Sequence, residues 1–151
     1  MGIGKDIQQD KFRNEYHKAS VNLLFTSGWM TEKIKNLVAD EGITHQQFNI
    51  MRILRGSHPT PLSTLQIRDR MIDKMSDTSR IVDRLITKGF VKKSTCKKDR
   101  RLVDVTITDK GLKLLEKLDR RQDEMDGILG NISEKEAASL TKLLDKIRAG
   151  N

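Results

Sequence analysis

Five consecutive residues, Lys97-Lys98-Asp99-Arg100-Arg101, hold the densest chemistry in the chain, and it is the chemistry of holding an anion. From Lys92 to Arg101 six basic residues stand against one acid, a balance of +5 in ten positions. Such a segment repels itself unless it is solvated, screened or laid against negative charge, and phosphate is the obvious counterpart. The flanks are patterned as strands. Phe90-Val91 leads into a run ending at Thr95 or Cys96, and Val103, Val105 and Ile107 alternate with Asp104, Thr106 and Thr108 at the period of a half-buried strand. The cationic segment is therefore expected to be the tip of a hairpin.

A second group with usable chemistry lies just upstream. A helix is expected from near Ser76 to Gly89, with Ile81, Val82, Leu85 and Ile86 as its apolar stripe and Ser76, Ser79, Arg80, Asp83, Arg84 and Thr87 on the opposite side. Arginine can bond bidentately to guanine in the major groove, and small hydroxyl residues near a helix N-terminus let a backbone approach phosphates or base edges. Taken alone, this face reads equally well as a solvated surface. The adjoining cationic hairpin favours nucleic acid.

Other chemistries find no support. His17, His45 and His58 form no ligand-spaced pair, and the single cysteine, Cys96, excludes an intramolecular disulfide framework and any cysteine-rich metal site. Cys96 is expected to be passive, although Lys93, Lys97 and Lys98 would favour a thiolate. Neither a phosphate-binding glycine loop nor a triad-like arrangement is present, so no enzyme, catalytic residue, metal or cofactor is expected. No apolar run approaches the length of a membrane span, and the N-terminus lacks a secretory core. Asp6 stands where myristoylation wants Ser or Thr. Cytoplasm is the expected location.

Composition points the same way. The 151 residues suit one domain with a core and appended helices. With 33% charged, 36% hydrophobic and 4% aromatic residues, much helix surface must lie in water. The formal charge is +8. Between Arg68 and Lys113, 14 Lys and Arg face seven Asp, so +7 of that excess sits in less than a third of the chain. A concentrated patch favours an anionic partner.

The elements that must position these groups are mostly helical. From about Ile7 to Asp40, Phe12, Tyr16, Ala19, Leu23, Met30, Ile34 and Leu37 recur at three- and four-residue steps, predicting one long amphipathic helix with Gly28 as its weak point. So long an apolar seam calls for a partner helix or a second subunit. Thr44-His-Gln-Gln47 and Ser63-Thr-Leu-Gln66 read as capping boxes opening two further helices, separated by a loop over 56–61. Thr108 is the expected N-cap of a helix carrying Leu112, Leu115, Leu118, Met125 and Leu129. Ser133-Glu-Lys-Glu136 opens a terminal helix through Ala137, Leu140, Leu143, Leu144 and Ile147. The fold class is mainly α with a small antiparallel sheet.

In element order and length the chain resembles the MarR family of winged-helix transcription regulators. The sharpest segments are Asp77-Thr-Ser-Arg-Ile-Val-Asp-Arg-Leu-Ile-Thr-Lys-Gly-Phe-Val91, then Asp99-Arg-Arg101, then Val105-Thr-Ile-Thr-Asp-Lys-Gly111. The resemblance implies dimerisation helices over 7–40 and 109–149 around a winged helix-turn-helix over 44–108, in a homodimer that binds a palindromic operator in double-stranded DNA, most simply as a repressor. It implies DNA contacts from Ser76, Asp77, Thr78, Ser79, Arg80 and Arg84 in the major groove. Arg100 or Arg101, with Arg101 preferred, would enter the minor groove, aimed by Asp99, while Lys97 and Lys98 would meet phosphates. It also implies a small-molecule effector in a cleft between the dimer helices and the winged domain, with Tyr16, Phe25, Trp29, Phe48 and Met51 as candidate lining residues, which read alternatively as core or interface. The segment Leu62-Ser-Thr-Leu-Gln-Ile-Arg-Asp-Arg-Met71 lacks the small alanine usual in the family, so base specificity does not transfer. A nonspecific basic winged module, or one that binds a protein, is the alternative.

Overall fold

Helix boundaries in the computed structural model, which describes residues 2–150, follow the capping residues. Thr44, Ser63 and Ser133 each accept a hydrogen bond from the amide three residues on, and the Gln47, Gln66 and Glu136 side-chain oxygens accept one from the cap amide. Each such pair satisfies two amides that a helix start would otherwise leave unbonded. The result is α1 (Ile3–Asp6), α2 (Glu15–Ala39), α3 (His45–Ser57), β1 (Leu62–Ser63), α4 (Thr64–Arg70), α5 (Thr78–Thr87), β2 (Val91–Thr95), β3 (Val103–Ile107), α6 (Asp109–Asp119), α7 (Gln122–Asp126) and α8 (Glu134–Arg148), with a single 3-10 turn at Gly127–Leu129.

Two expected helices are shorter than their apolar periodicity suggests. The helix expected from Ile7 begins at Glu15, because Asn14 is fully extended and its side chain takes the His17 amide at 2.9 Å. Gln8, at φ 53°, ends the short α1 before it. Phe12 therefore sits in the connection, with its ring edge-on to His17 at 5.6 Å. Gly28, the expected weak point, lies inside an unbroken α2. The helix starting after Thr108 stops at Asp119 and does not run on through Met125 and Leu129. Arg121 causes the break: it donates to the Leu37 carbonyl oxygen at 2.8 Å and pairs with Glu124 at 2.9 Å, turning the chain towards the end of α2.

The sheet has three strands in the order β1-β3-β2, all antiparallel. β3 lies in the centre, pairing Val105 with Leu62 on one side and with Lys93 on the other. The expected hairpin is β2 and β3. The two-residue β1 is an addition to that hairpin and is too short to show a period in the sequence. Val38, Ile50, Met51, Leu54, Ile67, Val82, Leu85, Val91, Val105 and Leu115 are almost completely buried, so the end of α2, α3 to α6 and the sheet share one core. By contrast α8 buries nothing, and most of α2 leaves its apolar residues exposed. Among the described residues no helix is long and apolar enough to cross a membrane.

Candidate nucleic-acid interface

Helix α5 is fixed from beneath and at both ends. Val82 and Leu85 sink into the core, and truncating one such leucine to alanine typically costs about 2–5 kcal/mol, so the helix is held firmly. Its N-cap is Asp77, whose side chain takes the Arg80 amide at 3.2 Å; helical residues therefore start at Thr78, two later than the sequence suggested. At the C-terminus Gly89 adopts φ 79°, and the Gly89 and Phe90 amides bond back to Ile86 and Leu85, a left-handed cap that favours glycine. Lys88 reaches across to the Gly42 carbonyl oxygen at 2.5 Å and to Gln47 Oε1 at 3.0 Å.

The outer face presents Ser79, Arg80 and Arg84 to solvent. Arg80 lies 3.7 Å from Asp77, whereas Arg84 has no carboxylate partner among the described residues. Thr78, which the sequence groups with these contacts, is 4% exposed and is turned from the outer face towards the cleft between α4 and α5. Asp83 is taken by Lys93 of β2 at 2.9 Å, a bridge that ties the hairpin to the helix.

At the hairpin tip the Cys96 amide bonds to the Leu102 carbonyl at 3.0 Å, and the Leu102 amide to the Asp99 carbonyl at 3.0 Å, closing the turn. The Asp99 carboxylate accepts from the Arg101 backbone amide at 3.0 Å, from Nε at 3.2 Å and from the terminal guanidinium nitrogen at 3.3 Å. The Arg101 side chain is 90% exposed, so the carboxylate holds one edge of its guanidinium while the rest of that group faces water. The guanidinium bonds, followed by the amide bond, hold Asp99 below the usual carboxylate range. Lys97, Lys98 and Arg100 are exposed and have no carboxylate partner among the described residues. A cationic helix face and a cationic tip carrying one aimed arginine thus project from one rigid body, a geometry suited to an anionic polymer.

Sequence reasoning missed two contributors. A cleft of about 390 Å³ opens between α4 and the start of α5, and Thr64 and Arg68 of α4 line it opposite Ser76, Asp77, Thr78 and Ser79. The signal was the four-residue step from Thr64 to Arg68, which puts both on one helix face.

Within one chain the five residues expected to line an effector cleft do not share a cavity. Tyr16 is 85% exposed near the start of α2, Phe25 and Trp29 are exposed further along it, and Met51 is wholly buried in the core. Phe48 alone of the five lines the second cleft, of about 410 Å³, between α2, α3, the α4–α5 turn and Met125. Arg52 stacks over the Phe48 ring at 5.5 Å there, and Asn49 holds the turn by accepting from the Ile72 amide at 3.0 Å.

Residues 43–103 match the MarR family model. Among solved structures, a MarR transcription factor from Planctomyces limnophilus is 31% identical, with 90% of this chain and 97% of that one covered and a TM-score of 0.65. A mutant MarR from E. coli complexed with operator DNA is 21% identical, covering 91% and 99%, at a TM-score of 0.80. Bordetella bronchiseptica BpsR, whose DNA binding is regulated by 6-hydroxynicotinic acid, is 18% identical, covering 93% and 100%, at a TM-score of 0.80.

Proposed function

The chain belongs to the MarR family, and from that premise we propose that it is a sequence-specific transcription regulator that binds double-stranded operator DNA as a homodimer. The observation that carries the proposal is the pairing of two cationic readers in one body: α5, with Arg80 and Arg84 outward, and the hairpin tip, with Arg101 aimed by Asp99. The helix suits the major groove, and the tip suits the narrower minor groove beside it. Lys97, Lys98 and Arg100 add phosphate contacts, which place the protein without reading sequence.

Two copies related by a two-fold axis would read an inverted repeat, and occupation of a promoter by such a dimer represses. Its place of action is the cytoplasm. The cleft under Phe48 and Arg52 is the proposed effector site: its wall includes Met71, Ile72 and Asp73, which lead directly into Ser76 and Asp77, so a ligand there would bear on the placement of α5. The mechanism needs no catalytic group.

Competition of a labelled inverted repeat, taken from DNA upstream of the coding sequence, against random duplex at fixed salt tests the reading. A specific regulator should prefer the repeat by ~10³ or more. Equal competition by random DNA would reduce the protein to a basic winged module.

A further inference from the structure

The cleft between α4 and α5 holds more unmet hydrogen-bonding capacity than a packing gap requires. The Ser76 and Thr78 hydroxyl oxygens are buried without a hydrogen-bond partner among the described residues, although buried polar atoms are normally satisfied. Thr78 and Ser79 are the first two residues of the ten-residue α5, and their amides have no acceptor among the described residues, since only the Arg80 and later amides are taken up by the cap and the helix. Arg68 faces the same cleft from α4, exposed and without a carboxylate partner among the described residues, beside the Thr64 hydroxyl. Free amides at a helix start, orphan hydroxyls and one guanidinium converge on a space of about 390 Å³. That set of donors matches an oxygen-rich anion.

We propose that this cleft seats a backbone phosphodiester of bound duplex DNA, with Arg68 as its cation and Thr64, Thr78 and Ser79 as its neutral donors. The proposal rests on the DNA-binding reading and adds a third anchor to the two readers, on the helix that precedes the recognition helix. Asp77 also lines the cleft, and its carboxylate opposes an anion. Its Oδ1 is occupied by the Arg80 amide at 3.2 Å, and its Oδ2 lies 3.7 Å from the Arg80 guanidinium, which offsets part of that charge. The remaining repulsion selects the occupant. A free phosphate dianion is penalised twice over, whereas a phosphodiester brings one charge and is delivered by a polymer already held elsewhere.

A sequence-independent contact can be tested without knowing the operator. Binding of a short random-sequence duplex is measured across a salt series for the parent, Arg68→Gln, Arg68→Lys and Arg70→Gln, with thermal melts to show that each variant is folded. Arg70 lies on the same helix but outside the cleft, so its loss removes equal charge from the wrong place. The slope of log affinity against log salt should become shallower by about 0.9 for Arg68→Gln. Arg68→Lys should keep the parent slope, and Arg70→Gln should change it by much less. An unchanged slope for Arg68→Gln, or an equal change for Arg70→Gln, overturns the phosphate seat while leaving DNA binding by the parent intact. A parent that binds no duplex overturns the DNA-binding reading itself. Inorganic phosphate titrated against the Thr78 and Ser79 amide resonances should give no saturable shift; saturation would assign the cleft to a free anion and overturn the proposal.

Discussion

Arg84 and Arg101 are both exposed arginines, but they are held differently, and their losses should read differently. Arg84 projects from a helix face with no carboxylate partner among the described residues, in position to meet a base edge. Arg84→Ala should therefore cost on the order of 1–3 kcal/mol on the operator and little on random duplex, as measured by parallel titrations. Equal losses on both DNAs would make it a phosphate contact. Arg101 is aimed by Asp99 through three hydrogen bonds. Asp99→Asn removes an acid from a cationic tip, so bulk electrostatics alone predicts tighter binding. If aiming dominates, the variant should bind random DNA as well as the parent or better while losing preference for the operator. The pH sense follows from the same bonds. Because folding lowers the Asp99 pKa, the order it gives to the tip is fully present above the ordinary carboxylate range and is lost only as pH falls through the depressed value. Carboxyl chemical shifts followed on acidification should place its midpoint below that of an unpaired aspartate.

Between residues and elements, what the sequence made legible was whatever is decided within a few positions. The three capping boxes, the Thr108 cap and the glycine stop at Gly89 all stand where local pattern put them, because a cap is complete within three or four residues. The hairpin was legible for the same reason. Contacts distant in sequence were not: the break before α7 depends on Arg121 meeting Leu37, and Arg68 gains meaning only beside α5. Met51 could be read either as cleft lining or as core, because an apolar residue beside a cleft and one inside the core look alike in sequence, and the fold places it in the core. Gly111 combines both kinds of information. It stands in the first turn of α6, whose cap Thr108 donates to the Gly89 carbonyl oxygen at 2.7 Å and so joins the helix to the end of α5. A β-carbon at Gly111 would collide with the Phe90 carbonyl oxygen and come within 2.7 Å of Ile107 Cγ1. Overpacking of this kind typically costs about 1–3 kcal/mol, so Gly111→Ala should lower the urea midpoint despite alanine's better helix propensity. An unchanged or raised midpoint would show that the α6–sheet joint yields freely.

The whole molecule has one core and too little surface to hide its remaining apolar residues. Leu140, Leu143 and Ile147 recur along one side of α8, a helix that buries nothing, while Leu24, Phe25 and Trp29 are exposed on α2. A 15-residue helix with no buried side chain draws little stability from its own chain, since helices in proteins depend mostly on packing of their apolar face. In the proposed homodimer a second copy would supply that packing, and two-fold symmetry would also double the cationic readers, whose excess of +7 between Arg68 and Lys113 would then span two half-sites. Leu143 is the informative position, exposed in one chain and central to the stripe. In Leu143→Asp, each subunit would bring an unpaired charge into the dimer contact, at several kcal/mol. At about 1.4 kcal/mol per tenfold, the dimer dissociation constant should rise by ~100-fold or more. Sedimentation should therefore show a parent dimer and a variant monomer at the same concentration, with the winged core still folding cooperatively. Operator affinity should fall with the dimer, because a lone subunit reads only half of the repeat. A variant that remains dimeric would place the contact elsewhere, and a parent that is monomeric while still discriminating the repeat would remove the dimer from the mechanism.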